Sequence, residues 1–467
     1  MVDKSAFRKG VILILGALFM LLGGRAIGLE PRQYIVTGLF SMTILGAILF
    51  WEMRLSFAFL VSSIMLLTGI TSLERFILSS SWDIIFFLLG MMILVAALKE
   101  LGVFTWLLGR ALCLRNMSAR KFLFALIFSS ALFACAVDEV SSIIFMIMVV
   151  FEMSDFYEVD PVPFIITSVL ATNIGSTGTV VGNPIGIFIA VKSGLTFEDF
   201  IVHSFPLMLV CLIILFFIML FILKKPLREL EEKMRQNEPN DILVRLLAIP
   251  PESKQKAGIA IFLLTLLAIG FHHRMELLLG LERNTVLLII PLIASSVVIM
   301  WRWQKARSYV AEGIEWWTVL FFIFLFAQAG ILEQTGAPRV AAEKLMALAG
   351  NNETVLTSAV FLGSGVISSI LDNVVVVATL TPIIKDLVVM SPAREVLWWA
   401  LLFGACLGGN LTIIGSTANI VAIGTLEKDK GMSISFVKWM KEAWLPSVAA
   451  MGVALFFFIF CYHLVYR

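Results

Sequence analysis

Charged side chains are scarce in this chain of 467 residues: Asp, Glu, Lys and Arg together make 15% of it. A soluble domain carries roughly a quarter, so a water-exposed globule of this length is excluded. The formal net charge of +2 comes without any basic stripe, which excludes a nucleic-acid partner. The five cysteines (Cys113, Cys135, Cys211, Cys406 and Cys461) show no CxxC spacing, which argues against a disulfide framework and against a structural zinc site. The four histidines, His203, His272, His273 and His463, fall at the ends of apolar runs, so they carry no proton-relay role. Walker loops, HExxH and nucleophile motifs are all missing, which argues against an enzyme and implies no cofactor. Work done by such a chain draws on an ion gradient or on an ATPase subunit as partner.

What is abundant is apolar surface: 60% of the residues are hydrophobic, with 38 Phe and 11 Trp. The apolar residues come in runs of about 15–25, the length that crosses a bilayer as a helix. Candidate spans are 10–27, 34–51, 55–71, 81–98, 163–191, 204–223, 257–272, 285–301, 314–333, 395–424 and 445–465, about eleven in all. The first follows Lys4, Arg8 and Lys9 and has no small-residue cleavage site before Arg25, so it reads as a retained helix. Two further stretches, 121–151 and 354–388, are too long for one span and carry acids at their middle. Each predicts a re-entrant hairpin, a form tolerated at membrane depth only inside protein or against a wet cavity. Threading with a cytoplasmic N-terminus puts about two-thirds of the 35 Lys and Arg on the cytoplasmic side, Arg54, Lys99, Arg110, Arg115 and Lys305 among them, and puts the C-terminus outside. The polar stretch 224–256, with Pro250–Pro251, is the only long linker and divides the chain near its midpoint.

The halves repeat. Trp82 and Trp316, Gly102 and Gly336, and Asp138 and Asp372 share one offset (372 − 138 = 234), while Gly182 and Gly415 differ from it by one residue. In the threading, span 81–98 and its partner 314–333 run in opposite senses, so the repeats are inverted. Inverted repeats place a substrate site at their interface near the midplane, in discontinuous helices. The fold class is therefore an all-α polytopic membrane protein with two inverted repeats and unwound helices. The division is 1–80 N-terminal scaffold helices, 81–223 first repeat, 224–256 linker, 257–313 scaffold helices and 314–467 second repeat.

Each repeat carries two elements able to do chemistry. One is the hairpin tip: Asp138, Glu139, Ser141 and Ser142 in the first half, Asp372 and Asn373 in the second. A carboxylate in an apolar interior costs about 3 kcal/mol or more unless paired, coordinated or hydrated. Asp138, Ser141, Asp372 and Asn373 are oxygen donors of the kind a hard cation such as Na+ takes. The other element is a Gly-rich break in a long apolar helix. The first runs from Asn173 through Gly175, Ser176, Thr177, Gly178, Thr179 and Gly182 to Asn183 and Pro184. The second runs from Gly408, Gly409 and Asn410 through Thr412 and Gly415 to Ser416, Thr417 and Asn419. Glycine permits unwinding, the freed carbonyls and hydroxyls can hold ions, and the exposed helix N-terminus can receive negative charge. Asp83 and Glu315, at the starts of equivalent helices, read as N-terminal helix charges.

At these motifs the chain resembles the ion transporter superfamily, in the branch of ArsB-type arsenite transporters, NhaD-type Na+/H+ antiporters and the melanosomal P protein. The strongest stretch is Phe403-Gly404-Ala405-Cys406-Leu407-Gly408-Gly409-Asn410-Leu411-Thr412-Ile413-Ile414-Gly415, followed by Ala418-Asn419; Leu371-Asp372-Asn373-Val374 is similar to the hairpin-tip signature. The resemblance implies a scaffold domain, a mobile transport domain and commonly a homodimer, set in lipid, in a bacterial-type plasma membrane. Two departures stand out. The first tip has Asp138-Glu139 where the branch has Asp-Asn, and the first break reads Gly182-Asn183-Pro184-Ile185-Gly186 where Gly-Asp-Pro-Pro-Asn is usual.

Three candidate acids at one site oppose a dicarboxylate: two like charges at about 4 Å repel by roughly 4 kcal/mol at an effective dielectric of 20. The residues thus favour a cation/proton antiporter of alternating access. Efflux of arsenite or another oxyanion, with Cys135 and Cys406 as soft ligands, is a second reading. Sodium-coupled uptake of a di- or tricarboxylate is a third.

Overall fold

The computed structural model describes residues 4–26, 28–104, 106, 118–236, 252–350, 352–390 and 395–462. Cys113, Arg110, Arg115, Pro250, Pro251 and His463 lie outside the described residues. Every regular element among those described is helical. The N-terminal group is α1 (Lys4–Ala26), α2 (Pro31–Leu49), α3 (Arg54–Leu67) and the short α4 (Leu73–Leu78). The first repeat follows as α5 (Trp82–Glu100), α6 (Ala119–Ala136), α7 (Glu139–Tyr157), α8 (Val162–Gly175), α9 (Pro184–Ser193) and α10 (Phe197–Ile222). A polar helix, α11 (Lys224–Gln236), begins the linker, and α12 (Ser253–Gly270), α13 (His272–Leu279), α14 (Thr285–Trp301) and α15 (Ala306–Ala311) come next. The second repeat holds α16 (Trp316–Gln334), α17 (Ala337–Ala349), α18 (Glu353–Ser368), α19 (Asn373–Met390), α20 (Val396–Gly408), α21 (Thr417–Lys430) and α22 (Phe436–Cys461).

Among the described residues, ten helices are long and apolar enough to cross a membrane, or eleven when the pair Thr285–Trp301 and Trp303–Ala311, bent by 102°, is taken as one span. The total agrees with the sequence, but the membership differs. The expected span 55–71 forms a helix of only 14 residues, α3. The runs 163–191 and 395–424 are each split by their glycine-rich break into α8 with α9 and α20 with α21. The hairpin arms α6, α7 and α19, by contrast, reach 18, 19 and 18 residues and have spanning length themselves.

Packing repeats between the halves. In the first, α6 lies on α8; in the second, α18 lies on α20. The second arms cross over: α7 packs against α21 of the other half, and α19 packs against α9. The two repeats are therefore interlocked at their hairpins and breaks. Around them, α5 packs on α12 and α14, and its counterpart α16 packs on α2 and α3. Gln328 of α16 fixes that second group, donating to the Ala58 carbonyl at 3.0 Å and to Ser62 at 2.9 Å and accepting from Thr43 at 2.7 Å. Gly102 and Gly336, paired by the repeat, both adopt left-handed backbone (φ +68° and +77°), which a side chain would strain.

Glycine also sets how closely the breaks approach the hairpins. A Cβ on Gly175 would fall 2.4 Å from the Ala131 backbone, and one on Gly408 would fall 2.2 Å from the Gly365 carbonyl. Both sites join a first hairpin arm to the end of a broken helix, so these glycines serve close packing.

Candidate functional site

The hairpin tips are built around their aspartates. Asp138 caps α7, its carboxylate accepting the Ser141 N–H at 2.8 Å. Asp372 does the same for α19: Oδ1 accepts the Val374 N–H at 3.0 Å, and Oδ2 accepts the Thr417 hydroxyl. A carboxylate at a helix N-terminus answers the unpaired N–H groups and the helix dipole.

The breaks are tethered to those tips by equivalent threonines. Thr179 donates to the Cys135 carbonyl and Thr412 to the Ser369 carbonyl, each just before its own tip. After each break a polar side chain restarts the helix: Asn183 accepts the Gly186 N–H at 2.7 Å, and Ser416 accepts the Ala418 N–H at 3.2 Å. Ser176 and Thr177 turn back onto the carbonyls of Asn173 and Ile174 at 3.0 and 2.7 Å.

One fully buried residue joins the halves. Asn173 donates to Asn410 at 2.7 Å and to Asn419 at 2.9 Å, and accepts from the Ser416 hydroxyl at 3.0 Å. Asn419 in turn donates to the carbonyls of Gly409 and Thr412, both at 2.8 Å. Asn173, Asn410, Asn419 and Ser416, expected as ion ligands, are thus hydrogen-bonded to one another across the repeat boundary. Asn183 donates to Ser176 at 2.9 Å and to the Cys406 thiol at 3.3 Å, while the Cys135 thiol donates to the Gly175 carbonyl at 2.9 Å.

A different set is left without partners. Glu139 Oε2, Ser142 Oγ and both amide atoms of Asn373 are buried and form no hydrogen bond of standard geometry. Glu139 and Ser142 share one face of α7, at i and i+3. Glu139 lies within reach of Asn373 and Ser176, and the charges of Asp372 and Asp138 act on it.

Glu139 lines a cavity of about 450 Å³, whereas Ser142 and Asn373 lie behind its wall and do not line it. Asp138, Glu139, Ser141, Asn183, Pro184 and Thr417 line the cavity, as do Lys99, Glu100, Lys305, Ser308 and Glu312 from the ends of α5 and α15. Val374 of the second tip also lines this cavity, but Asp372 does not. Asp372 meets a pocket of about 50 Å³ walled by Ile48, Trp51, Phe321, Leu371 and Ile414. Among the described residues, the acids of the first tip thus face the larger cavity and Asp372 faces the smaller one.

In the sequence Arg54 marks only topology. The structure buries it to 6% exposure beside the site, with its guanidinium 4.0 Å from the Trp51 ring centre. It donates to Thr318 at 3.0 Å, and its charge acts on Asp372 and Glu315. Glu315, expected as a helix charge, also lines the cavity. A lone Arg at the head of an apolar run was the signal available.

A solved structure shares the fold: the YdaH transporter of Alcanivorax borkumensis covers 98% of this chain and 99% of its own at a TM-score of 0.58, with 12% identity. The protein is a polytopic secondary transporter of the ion transporter superfamily. A family model described as citrate transporter matches residues 44–336 and 277–466, and the chain belongs to that family. Among its relatives, the uncharacterized transporter MT2759 of Mycobacterium tuberculosis is 33% identical over 368 residues, 77% of this chain and 82% of that one. The 46 kDa membrane protein of Mycobacterium leprae is 31% identical over 384 residues, 80% and 85% of the two chains. The human P protein is 27% identical over 460 residues, 81% of this chain and 52% of its own. The likeness to the P-protein branch read from the motifs thus extends along the chain.

Proposed function

We propose that this transporter exchanges a small monovalent cation, Na+ first, for protons by alternating access. The observation that carries the reading is the set of unbonded buried atoms on Glu139, Ser142 and Asn373, with Glu139 and Asp138 also lining a cavity of about 450 Å³. A buried carboxylate such as Glu139, acted on by the charges of Asp138 and Asp372, needs either a cation or a proton. A site that accepts one or the other, but not both, is an exchanger. Carboxylate, hydroxyl and amide oxygens suit a hard cation. The sequence placed Na+ at Asp138, Ser141, Asp372 and Asn373; the capping roles of Asp138 and Asp372 support shifting the centre to Glu139, Ser142 and Asn373.

The cavity mouth holds Lys99 and Lys305, which the charge bias assigns to the cytoplasm, so the conformation is inward-facing in this reading. The test is flux in proteoliposomes under imposed gradients. A Na+ gradient should drive proton movement, and Asp372→Asn and Glu139→Gln should each abolish it. A Na+ gradient that moves no protons would sink the proposal.

A second reading is sodium-coupled carboxylate symport. The family description favours it, as do the N-termini of α9 and α21, which reach the cavity at Pro184 and Thr417. Citrate uptake that depends on Na+ and leaves internal pH unchanged would select it. The arsenite reading finds less support, because neither Cys135 nor Cys406 lines the cavity.

A further inference from the structure

We infer that Arg54 is a charge lock that holds the carrier still while its site is unloaded; this rests on the exchange reading above.

The geometry sets Arg54 between the two sides of the site. Its guanidinium packs on Trp51 and lies 5.2 Å from the Phe321 ring centre. Those two rings wall the small pocket into which Asp372 opens. On the other side it donates to Thr318, and Thr318 donates at 3.4 Å to Glu315, which lines the larger cavity. The Arg54 Nε is buried and unbonded. Among the described residues, the charges acting on Arg54 are Asp372 and Glu315.

The repeat counterpart of Arg54 is apolar. Leu60-Val61-Ser62-Ser63 and Ile293-Ala294-Ser295-Ser296 align at an offset of 233, which pairs Arg54 with Leu287; the offset of 234 gives Leu288. Glu315 pairs with Ser81 and Thr318 with Ile84 at 234. The equivalent crossing of α5 with α14 is thus made without Arg, Glu or Thr. Burying a guanidinium is costly, and a well-packed apolar residue serves stability as well or better. One side of a pseudo-symmetric molecule carries the charge, and the other does without it.

Arg54 stands on α3, which Gln328 ties to α16, whereas Asp372 stands on a hairpin tip. An exchanger fails if its unloaded form crosses, because the gradient then dissipates. With the carboxylates ionised and no cation bound, Asp372 is attracted to Arg54 and the hairpin is held against the fixed helices. A cation or proton at the site cancels that attraction and releases the hairpin. Loading and movement are coupled through one charge pair, as differential stabilisation of two states requires.

The experiment uses the full-length protein in proteoliposomes loaded with radioactive Na+ and diluted into alkaline buffer free of Na+. The wild type should retain the tracer and release it when external Na+ or protons are supplied. Arg54→Gln should leak without a counter-ion about tenfold faster, a change of ~1.4 kcal/mol, while Na+–Na+ exchange persists. Arg54→Lys, which keeps the charge, should retain the tracer. Thr318→Val, of similar volume, should leak in the same direction but less, and it carries the test if Arg54→Gln does not fold. Retention by both Arg54→Gln and Thr318→Val, or an equal leak from Arg54→Lys, would overturn the lock. A wild type that moves no Na+ under any condition would overturn the exchange reading instead, and the lock with it.

Discussion

Glu139 and Asn373 hold the same place in the two repeats, 234 positions apart, and lie side by side where the hairpins meet. An acid in one half faces an amide in the other. If the unpaired carboxylate is where cation and proton compete, Glu139→Gln, which keeps size and shape, should cut Na+-driven proton flux by about 100-fold, equivalent to ~2.7 kcal/mol. Glu139→Asn should be as inactive, and adding Asn373→Glu to it should restore part of the flux by returning the acid from the opposite repeat. The check is proton movement in proteoliposomes at a fixed Na+ gradient. Full flux in Glu139→Gln would remove this residue from the coupling step.

Asn173 is the joint between the repeats. Asn173→Ala leaves Asn410 Oδ1, Asn419 Oδ1 and the Ser416 hydroxyl without the partner each now has. A buried polar group stripped of its partner costs about 1–3 kcal/mol. The variant should melt at lower temperature in detergent than wild type and lose transport. Asn410→Ala, which removes a single acceptor from Asn173, should be milder in stability. Equal melting temperatures for Asn173→Ala and wild type would show that the joint contributes nothing to folding.

The sequence carried the architecture well because its signals were strong ones. Apolar run length marks membrane helices, and the pairs Trp82/Trp316 and Asp138/Asp372 fixed the repeat register. The hairpin turns fall at Asp138 and Asp372 as expected. What composition cannot show is which polar groups are already used. Asn173, Asn410, Thr179 and Thr412 read as oxygen ligands, yet all are engaged with neighbours up to 246 positions away. Glu139 read as one acid among three, and only folding shows it to be the one with an unpaired oxygen. Arg54 was invisible as a site residue because its neighbours Thr318, Phe321 and Asp372 are all more than 260 positions distant.

Close approach at the breaks predicts sharp sensitivity to a single methyl. Gly175→Ala and Gly408→Ala place a Cβ inside the van der Waals radius of backbone atoms, where no rotamer change relieves the clash. Overpacking of this kind costs typically ~1–3 kcal/mol, so both should lower the melting temperature and the yield of folded protein. Gly363→Ala serves as the control: it lies in α18 on the same hairpin, its Cβ would meet nothing within 4 Å, and it should melt as wild type does. Equal melting of all three would mean that the breaks and hairpins separate readily.

Unequal cavities predict unequal labelling. Cys135, Cys211 and Cys406 are buried, so replacing Cys113 and Cys461 by Ser should give a background nearly silent to a membrane-impermeant maleimide. Ser308→Cys at the cavity mouth and Val140→Cys at its inner end both line the 450 Å³ space and should react. Leu371→Cys faces the 50 Å³ pocket, too small to admit the reagent, and should not. With the N-terminus in the cytoplasm, the two reactive positions should label in inside-out vesicles and stay unlabelled in right-side-out ones. Saturating Na+ should slow Val140→Cys, beside the acids, more than Ser308→Cys. Labelling of Ser308→Cys from the outside would invert the topology drawn from the Lys and Arg bias, and equal labelling from both faces would replace a carrier by a channel.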